Sequence, residues 1–220
     1  MGIPYRFDPM GTLDTLGYVN DGLVFWLDCL AAGDGESVVL RERVSGIELP
    51  DAVNISGGIC RSTLTVSTDI VPLDKSSVKA QELVSIIPDG RTDLGAAAVN
   101  INSYNAYSPV CGYSNDDRQV FWGKGANIHN IAHARHPEQN TLQTIHWPTA
   151  MTPPYMDGVA VSALSKEPQG AATGLKTIVN LKPGWAAVRV YNRELTYAEI
   201  MQNVAADAAR YDKTIVYPIP

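Results

Sequence analysis

Along most of the chain, short apolar runs of four to seven residues alternate with clusters of turn residues. Leu23-Val-Phe-Trp-Leu27 is the clearest run, entered through Asn20-Asp21-Gly22 and alternating its side chains between two faces. The same pattern predicts strands at Ser37–Leu40, Thr63–Ser67, Glu82–Ile87, Ala96–Ile101, Gln119–Trp122, Thr141–His146, Val159–Leu164, Leu175–Asn180 and Ala186–Tyr191. Ser56-Gly57-Gly58, Pro88-Asp89-Gly90, Ser114-Asn115-Asp116-Asp117, Met156-Asp157-Gly158 and Lys182-Pro183-Gly184 supply the turns between them. About ten short strands in one chain predict an all-β fold, two packed antiparallel sheets in a jelly-roll sandwich.

One segment breaks that period. From Tyr197 to about Ala209, Tyr197, Ile200, Met201, Val204, Ala208 and Tyr211 recur at helical spacing, predicting a single C-terminal helix with an apolar face packed on a sheet. Its start is written into the chain. Thr196 and Glu199 have the T-x-x-E spacing of a capping box, and Leu195 and Ile200 are placed for a hydrophobic staple. The tail, Thr214-Ile-Val-Tyr-Pro-Ile-Pro220, reads as an edge strand stopped by prolines or as an arm reaching a neighbouring subunit.

Composition narrows the class. With 45% hydrophobic and 18% charged residues, the 220-residue chain can bury the core of one large sandwich. The net charge of −6 and the scattered Lys and Arg argue against a nucleic-acid partner, which needs clustered cations to neutralise phosphates. No stretch approaches the roughly 18 apolar residues of a membrane helix, so membrane insertion is not expected. Met1–Gly11 has no basic region followed by an apolar stretch, and so does not read as an export signal. Cys29, Cys60 and Cys111 carry no metal spacing and are expected to be free thiols packed as small apolar groups, in a protein made in a reducing cytoplasm.

Two segments carry a family resemblance. Asp21-Gly-Leu-Val-Phe-Trp-Leu-Asp28 resembles the opening strand of concanavalin A-like, laminin G-like jelly rolls of gut bacteria and their phages. Val188-Arg-Val-Tyr-Asn-Arg-Glu-Leu-Thr-Tyr-Ala-Glu-Ile200 resembles that family's closing strand and turn, and Asn203, Asp207 and Ala209-Arg210-Tyr211 its following helix. Tyr155-Met-Asp-Gly-Val159 is similar to the family's hairpin. The resemblance implies a jelly-roll domain over 18–212, an N-terminal arm over 1–17 and a tail over 213–220. It further implies carbohydrate binding, adhesion, glycan hydrolysis or virion attachment, among which a shared fold does not choose.

The carboxylates argue against the hydrolase. Glycoside cleavage needs an acid and a second carboxylate across the bond, and the E-x-D-x-x-E strand of the superfamily's glucanases is absent. Glu36 and Glu42 read as solvated beside Gly33-Asp-Gly35, and Glu82 and Glu138 each stand alone. No nucleophile elbow, P-loop or dinucleotide fingerprint occurs. Only an atypical carboxylate pair would leave room for an enzyme.

Binding has more candidates. Sugars are held by aromatic platforms together with amide and carboxylate groups. Tyr104, Tyr107, Tyr113, Asn115 and Asp116 fall in loop-like segments, and Trp147 and Tyr155 lie in or beside further loops. Core packing or loop anchoring is the competing reading for each aromatic. No cofactor is expected. Calcium is the one ion Asn115-Asp116-Asp117 would take, yet it wants six to eight oxygens, more than this triplet provides. His129, His133 and His136 would share a face on a helix, a geometry suited to zinc. On a strand only the first two share a face, and the sandwich favours strand or loop.

These readings converge on a non-enzymatic attachment or structural protein. Its expected partners are a cell-surface glycan or other virion proteins, with further copies of itself in a homo-oligomer. The expected location is a phage virion assembled in the host cytoplasm, with a free-standing lectin on the bacterial surface as the alternative.

Overall fold

The computed structural model describes residues 16–74, 77–86, 97–99, 108–113, 118–124, 127–133, 142–148, 155–160, 162–163, 177–181 and 183–212. For the strands between 97 and 133 and for 162–163 the description is of backbone pairing. The described residues are mostly antiparallel strands in two large sheets, with one long C-terminal helix, as the hydrophobic pattern predicts.

The first sheet has six strands in the order β1 (Leu23–Asp28), β16 (Trp185–Tyr191), β6 (Ala80–Ile86), β11 (Leu142–Pro148), β12 (Tyr155–Met156) and β13 (Val159–Ala160). The second has seven: β14 (Ser162–Ala163), β10 (Asn127–His133), β9 (Arg118–Lys124), β8 (Ser108–Tyr113), β7 (Ala97–Val99), β15 (Thr177–Leu181) and β5 (Leu64–Ser67). A smaller sheet joins β2 (Gly35–Arg41), β3 (Glu48–Ser56) and β4 (Ile59–Cys60). A short turn of helix, α1 (Cys29–Ala32), follows β1, and α2 (Tyr197–Arg210) follows β16.

The main core lies on one face of the six-stranded sheet. Phe25, Leu27, Leu83, Ile145, Val188 and Val190 point into it and meet Leu64, Val66, Val179 and Leu181 from the seven-stranded sheet. Because successive strand residues face opposite ways, the alternate positions Trp26, Asp28, Glu82, Thr144, His146, Arg189 and Tyr191 belong to the other face. There α2 covers them, with Ile200 and Val204 packed on Trp26, Tyr191, Tyr18 and Leu195.

The start of α2 forms as its sequence predicts. The Thr196 side chain accepts from the Glu199 N–H, the Glu199 carboxylate accepts from the Thr196 N–H at 2.8 Å, and Leu195 and Ile200 join one buried cluster. Arg193 clamps Glu199 through two contacts of 3.0 and 2.6 Å. The buried face, however, includes Asn203 and Asp207 with Ile200 and Val204, while Tyr197 is 57% exposed. The apolar stripe is therefore narrower than predicted, and two polar residues take its place. The β12–β13 hairpin turns at Asp157 and Gly158, both at positive φ (47° and 81°), as an Asp-Gly turn requires.

β3 escapes the sequence pattern because Pro50, Asp51 and Asn54 interrupt it. Leu49, Val53 and Ile55 nevertheless reach the core, helped by register shifts in the pairing with β2.

Candidate functional site: a polar array under the C-terminal helix

Among the described residues, three fully buried charged side chains meet between the six-stranded sheet and α2. Glu82, Arg189, Asn203 and Asp207 are 0% exposed and His146 1%. Strand register brings the first three strands of the array together: Arg189 on β16 pairs with Glu82 on β6, and Glu82 pairs with His146 on β11. The helix supplies the rest. Asn203 and Asp207 are one turn apart, so both project onto the same row of the sheet.

Arg189 is the hub. Its Nε donates to Glu82 Oε2 at 2.7 Å, and Nη1 and Nη2 grip Asp207 in a fork at 2.8 and 2.6 Å. Glu82 also receives Asn203 Nδ2 at 2.9 Å, and its second oxygen lies 3.2 Å from His146 Nδ1. Asp207 takes two further hydroxyls, Tyr18 at 2.8 Å and Thr144 at 2.7 Å. Asn203 closes the circuit, donating to the Tyr191 hydroxyl and accepting the Val19 N–H. The Tyr18 ring lies against the Arg189 guanidinium, 4.5 Å from its centroid. The array thus ties together β6, β11, β16, α2 and the segment entering β1.

Its electrostatics follow from that packing. Burial pushes the Glu82 carboxyl upward, but Arg189 and His146 outweigh it and hold the group down at about 2. Burial works against the Arg189 charge, and Asp207 and Glu82 reverse it, so the guanidinium stays ionised. Desolvation raises the Tyr18 and Tyr191 phenols, which remain neutral donors. A carboxylate held ionised this firmly is a poor general acid at neutral pH, where a glycosidase acid needs a raised value.

A second ionic tie sits beside the first. Asp28, buried at the end of β1, caps α1 by accepting from Ala31 N at 3.2 Å and takes Arg43 at 2.9 Å and Arg210 of α2. Arg43 also lies over Trp26, 4.4 Å from its ring centroid. Glu42 corrects the expectation of a solvated side chain. It is fully buried, with Oε1 accepting from Trp26 N at 2.6 Å and Val44 N at 3.0 Å and Oε2 from Ser45 N at 2.6 Å. The run of backbone donors in the turn after β2 offers a carboxylate more than water does. Glu82, read as standing alone, is likewise corrected.

The predicted ligand residues divide. Trp147 lies within β11, 2% exposed, in the main apolar core rather than beside a loop, because strand alternation turns it inward next to Ile145's cluster. Tyr155 is half-buried on β12, its ring 6.1 Å from that of His146 and 5.9 Å from that of exposed Tyr197. Tyr113 ends β8 and pairs with Arg118 across the β8–β9 connection. Tyr104, Tyr107, Asn115 and Asp116 lie outside the described residues, as does His136. His129 and His133 both fall on β10, a strand as the sandwich favours. Among the described residues no three metal-ligating side chains converge, and no helix is long and apolar enough to cross a membrane.

The segments that carry the family resemblance contain Arg189, Asn203, Asp207 and Arg210, and the sequence alone did not show what these residues do. The signal was available in the spacing. Asn203 and Asp207 sit three and seven residues after Ile200, on the face that must be buried, so each needs a polar partner inside.

No family model and no curated protein matches the chain. Solved structures do. A Trypanosoma rangeli sialidase is similar over 86% of this chain with 12% identity and a TM-score of 0.58. The same sialidase holding 2,3-difluorosialic acid as a covalent intermediate gives 13% and 0.55 over 83%. The binding domain of botulinum neurotoxin DC, solved with rat synaptotagmin II, gives 12% and 0.53 over 86%. This chain spans about a third of the sialidase chain (33%) and about half of the toxin chain (52%). At these identities the likeness concerns the fold alone, an all-β sandwich.

Proposed function

We propose that this chain is a non-enzymatic attachment or structural protein whose sandwich is carried on a phage virion, as a head-fibre, decoration or tail-associated subunit. The observation that carries the reading is how the chain uses its buried carboxylates. Glu82, Asp207, Asp28 and Glu42 are each saturated by arginines, hydroxyls or backbone N–H groups, and each joins one element to another. They work as ties, and Glu82 and Asp207, the two acids that share Arg189, are sealed beneath α2. Recognition as the use of the fold is supported by the toxin neighbour, a domain described by what it binds. The laminin G-like segments at both ends support a place among gut-bacterial and phage proteins.

In this reading the partners are a cell-surface glycan or other virion proteins, the subunits form a homo-oligomer, and assembly takes place in the host cytoplasm. The residues expected to touch the ligand are Tyr113 and Tyr155, with Tyr104, Tyr107, Asn115 and Asp116. A free-standing lectin is the second reading, favoured by the exposed Tyr197 ring beside Tyr155. Sedimentation and cell binding separate the two. A stable oligomer that binds bacterial cells saturably supports the virion subunit; a monomer that binds them supports the lectin. Failure to bind any cell or polysaccharide, with or without EDTA, in a protein that is also monomeric would remove both.

A further inference from the structure

The small sheet has an open edge. Its strands run in the order β2, β3, β4, so β2 pairs with β3 on one side only. Among the described residues, the backbone of 36–41 makes no hydrogen bond outside that pairing. The first backbone bond to β1 lies past the end of β2, from the Arg43 N–H to the Trp26 carbonyl at 2.9 Å. An unpaired edge is a template for another strand, and proteins commonly blunt it with charge or proline. Ser37-Val-Val-Leu40 carries neither. The charges stand at its two ends, Glu36 before it and Arg41 after, and they are opposite in sign.

Register shows which side chains share the outer face. Gly35 pairs with Ile55 and Val38 with Val53, so Glu36 and Ser37 together stand opposite Asn54. With that bulge counted as one position, alternation puts Glu36, Ser37, Val39 and Arg41 on one face. All four are exposed, Val39 by 52%, while Val38 and Leu40 turn to the core. Arg41 reaches Glu48 of β3 at 2.6 Å, with side chains 61% and 62% exposed. A pair so exposed contributes little, and Arg41 can turn to a second acid.

We propose that β2 is the contact between two copies of this chain, paired edge to edge and antiparallel about Val39. The two small sheets then become one of six strands. The proposal rests on the homo-oligomeric reading above and names the surface that reading needs. A two-fold axis through the sheet sets each Val39 against its own copy and each Val38 against Leu40. Arg41 of each copy then faces the Glu36–Ser37 bulge of the other, so the charges match twice. Parallel pairing would set like charges together, and a one-residue slip would set the exposed row against the core-facing one. Backbone bonds supply the attraction, and Val39 with the two ion pairs fixes the register.

Sedimentation of the full chain measures the assembly, and a cross-link locates it. The wild-type chain is expected to be an oligomer. Val39→Lys puts two like charges on the axis and should split it into halves, with circular dichroism unchanged. Glu36→Lys should weaken the pairing about tenfold, and adding Arg41→Glu should restore it. In a Cys111→Ser background, Val39→Cys should form a 39–39 disulfide between copies on mild oxidation, reversed by dithiothreitol. An oligomer that Val39→Lys leaves whole, or one with no 39–39 link, would overturn this surface and spare the homo-oligomer. A charge exchange that restores nothing would overturn the register. A wild-type monomer at high concentration would overturn the surface and the homo-oligomer together.

Discussion

The six-stranded sheet has two faces built on opposite principles. Its inner face meets the second sheet through Phe25, Leu27, Leu83, Ile145, Val188 and Val190, side chains with no directional demand. Its outer face meets α2 through Ile200 and Val204 and, beside them, through Arg189, Glu82, His146, Asn203 and Asp207, whose polar contacts each have a direction and a length. Apolar packing tolerates exchanges that keep volume and pattern. The ionic face admits one placement of the helix, because the Arg189 fork matches Asp207 only when Asn203 also reaches Glu82. The comparison teaches that the core holds the sandwich together, while the polar array fixes where the last element docks.

The strongest way to break this contrast is Arg189→Met. It strands Glu82 and Asp207 in the interior and should cost about 3–5 kcal/mol by urea denaturation. Replacing Arg189 and its two carboxylates at once, Glu82→Leu with Arg189→Met and Asp207→Leu, removes these charges together and should recover part of that loss. If the triple variant is as unstable as the single one, the array is not acting as a balanced set. Ile145→Ala on the inner face should cost about 2–4 kcal/mol through a cavity, with no such rescue by a neighbour's removal.

Acid sharpens the contrast next. The Glu82 carboxyl titrates at about 2 in the native protein against an ordinary 4.5, so its stabilisation is complete above pH 4.5 and disappears as the pH falls to about 2. Over that window ~3 kcal/mol should be lost, and Glu82→Gln should flatten that part of the stability–pH curve. A wild-type curve unchanged from pH 5 to pH 2 would contradict the assignment. The smallest effect belongs to the helix start. Thr196→Ala, read by thermal melting, should cost about 1 kcal/mol, because Glu199 keeps its Arg193 partner.

The inner face was legible because β1 and β16, covered on both faces, read as near-continuous apolar runs bounded by turn residues, and the capping box wrote the first residue of α2. The outer face was partly legible. Asn203 and Asp207 stand out in the sequence, but Arg189 is hidden in an apolar run and their partners Glu82 and His146 lie far away on β6 and β11, where only strand register reveals them. Glu42 was misread for the same reason, since the backbone donors that bury it come from Trp26 as well as its own turn. Trp147 looked like a loop residue because Pro148 follows it, yet β11 runs through both. Tyr155 is placed with an exposed aromatic neighbour, and spacing in the sequence could not show that Tyr197 would be it.

The buried acids act as ties, and the proposed use of the sandwich is recognition without cleavage. It is tested most directly by offering one panel of sialylated and bacterial polysaccharides for both binding and product release. The account predicts saturable binding, weakened by Tyr113→Ala with Tyr155→Ala, and no released sugar from any member. Release of sugar by the wild-type chain that stops in a folded Glu82→Gln variant would contradict it.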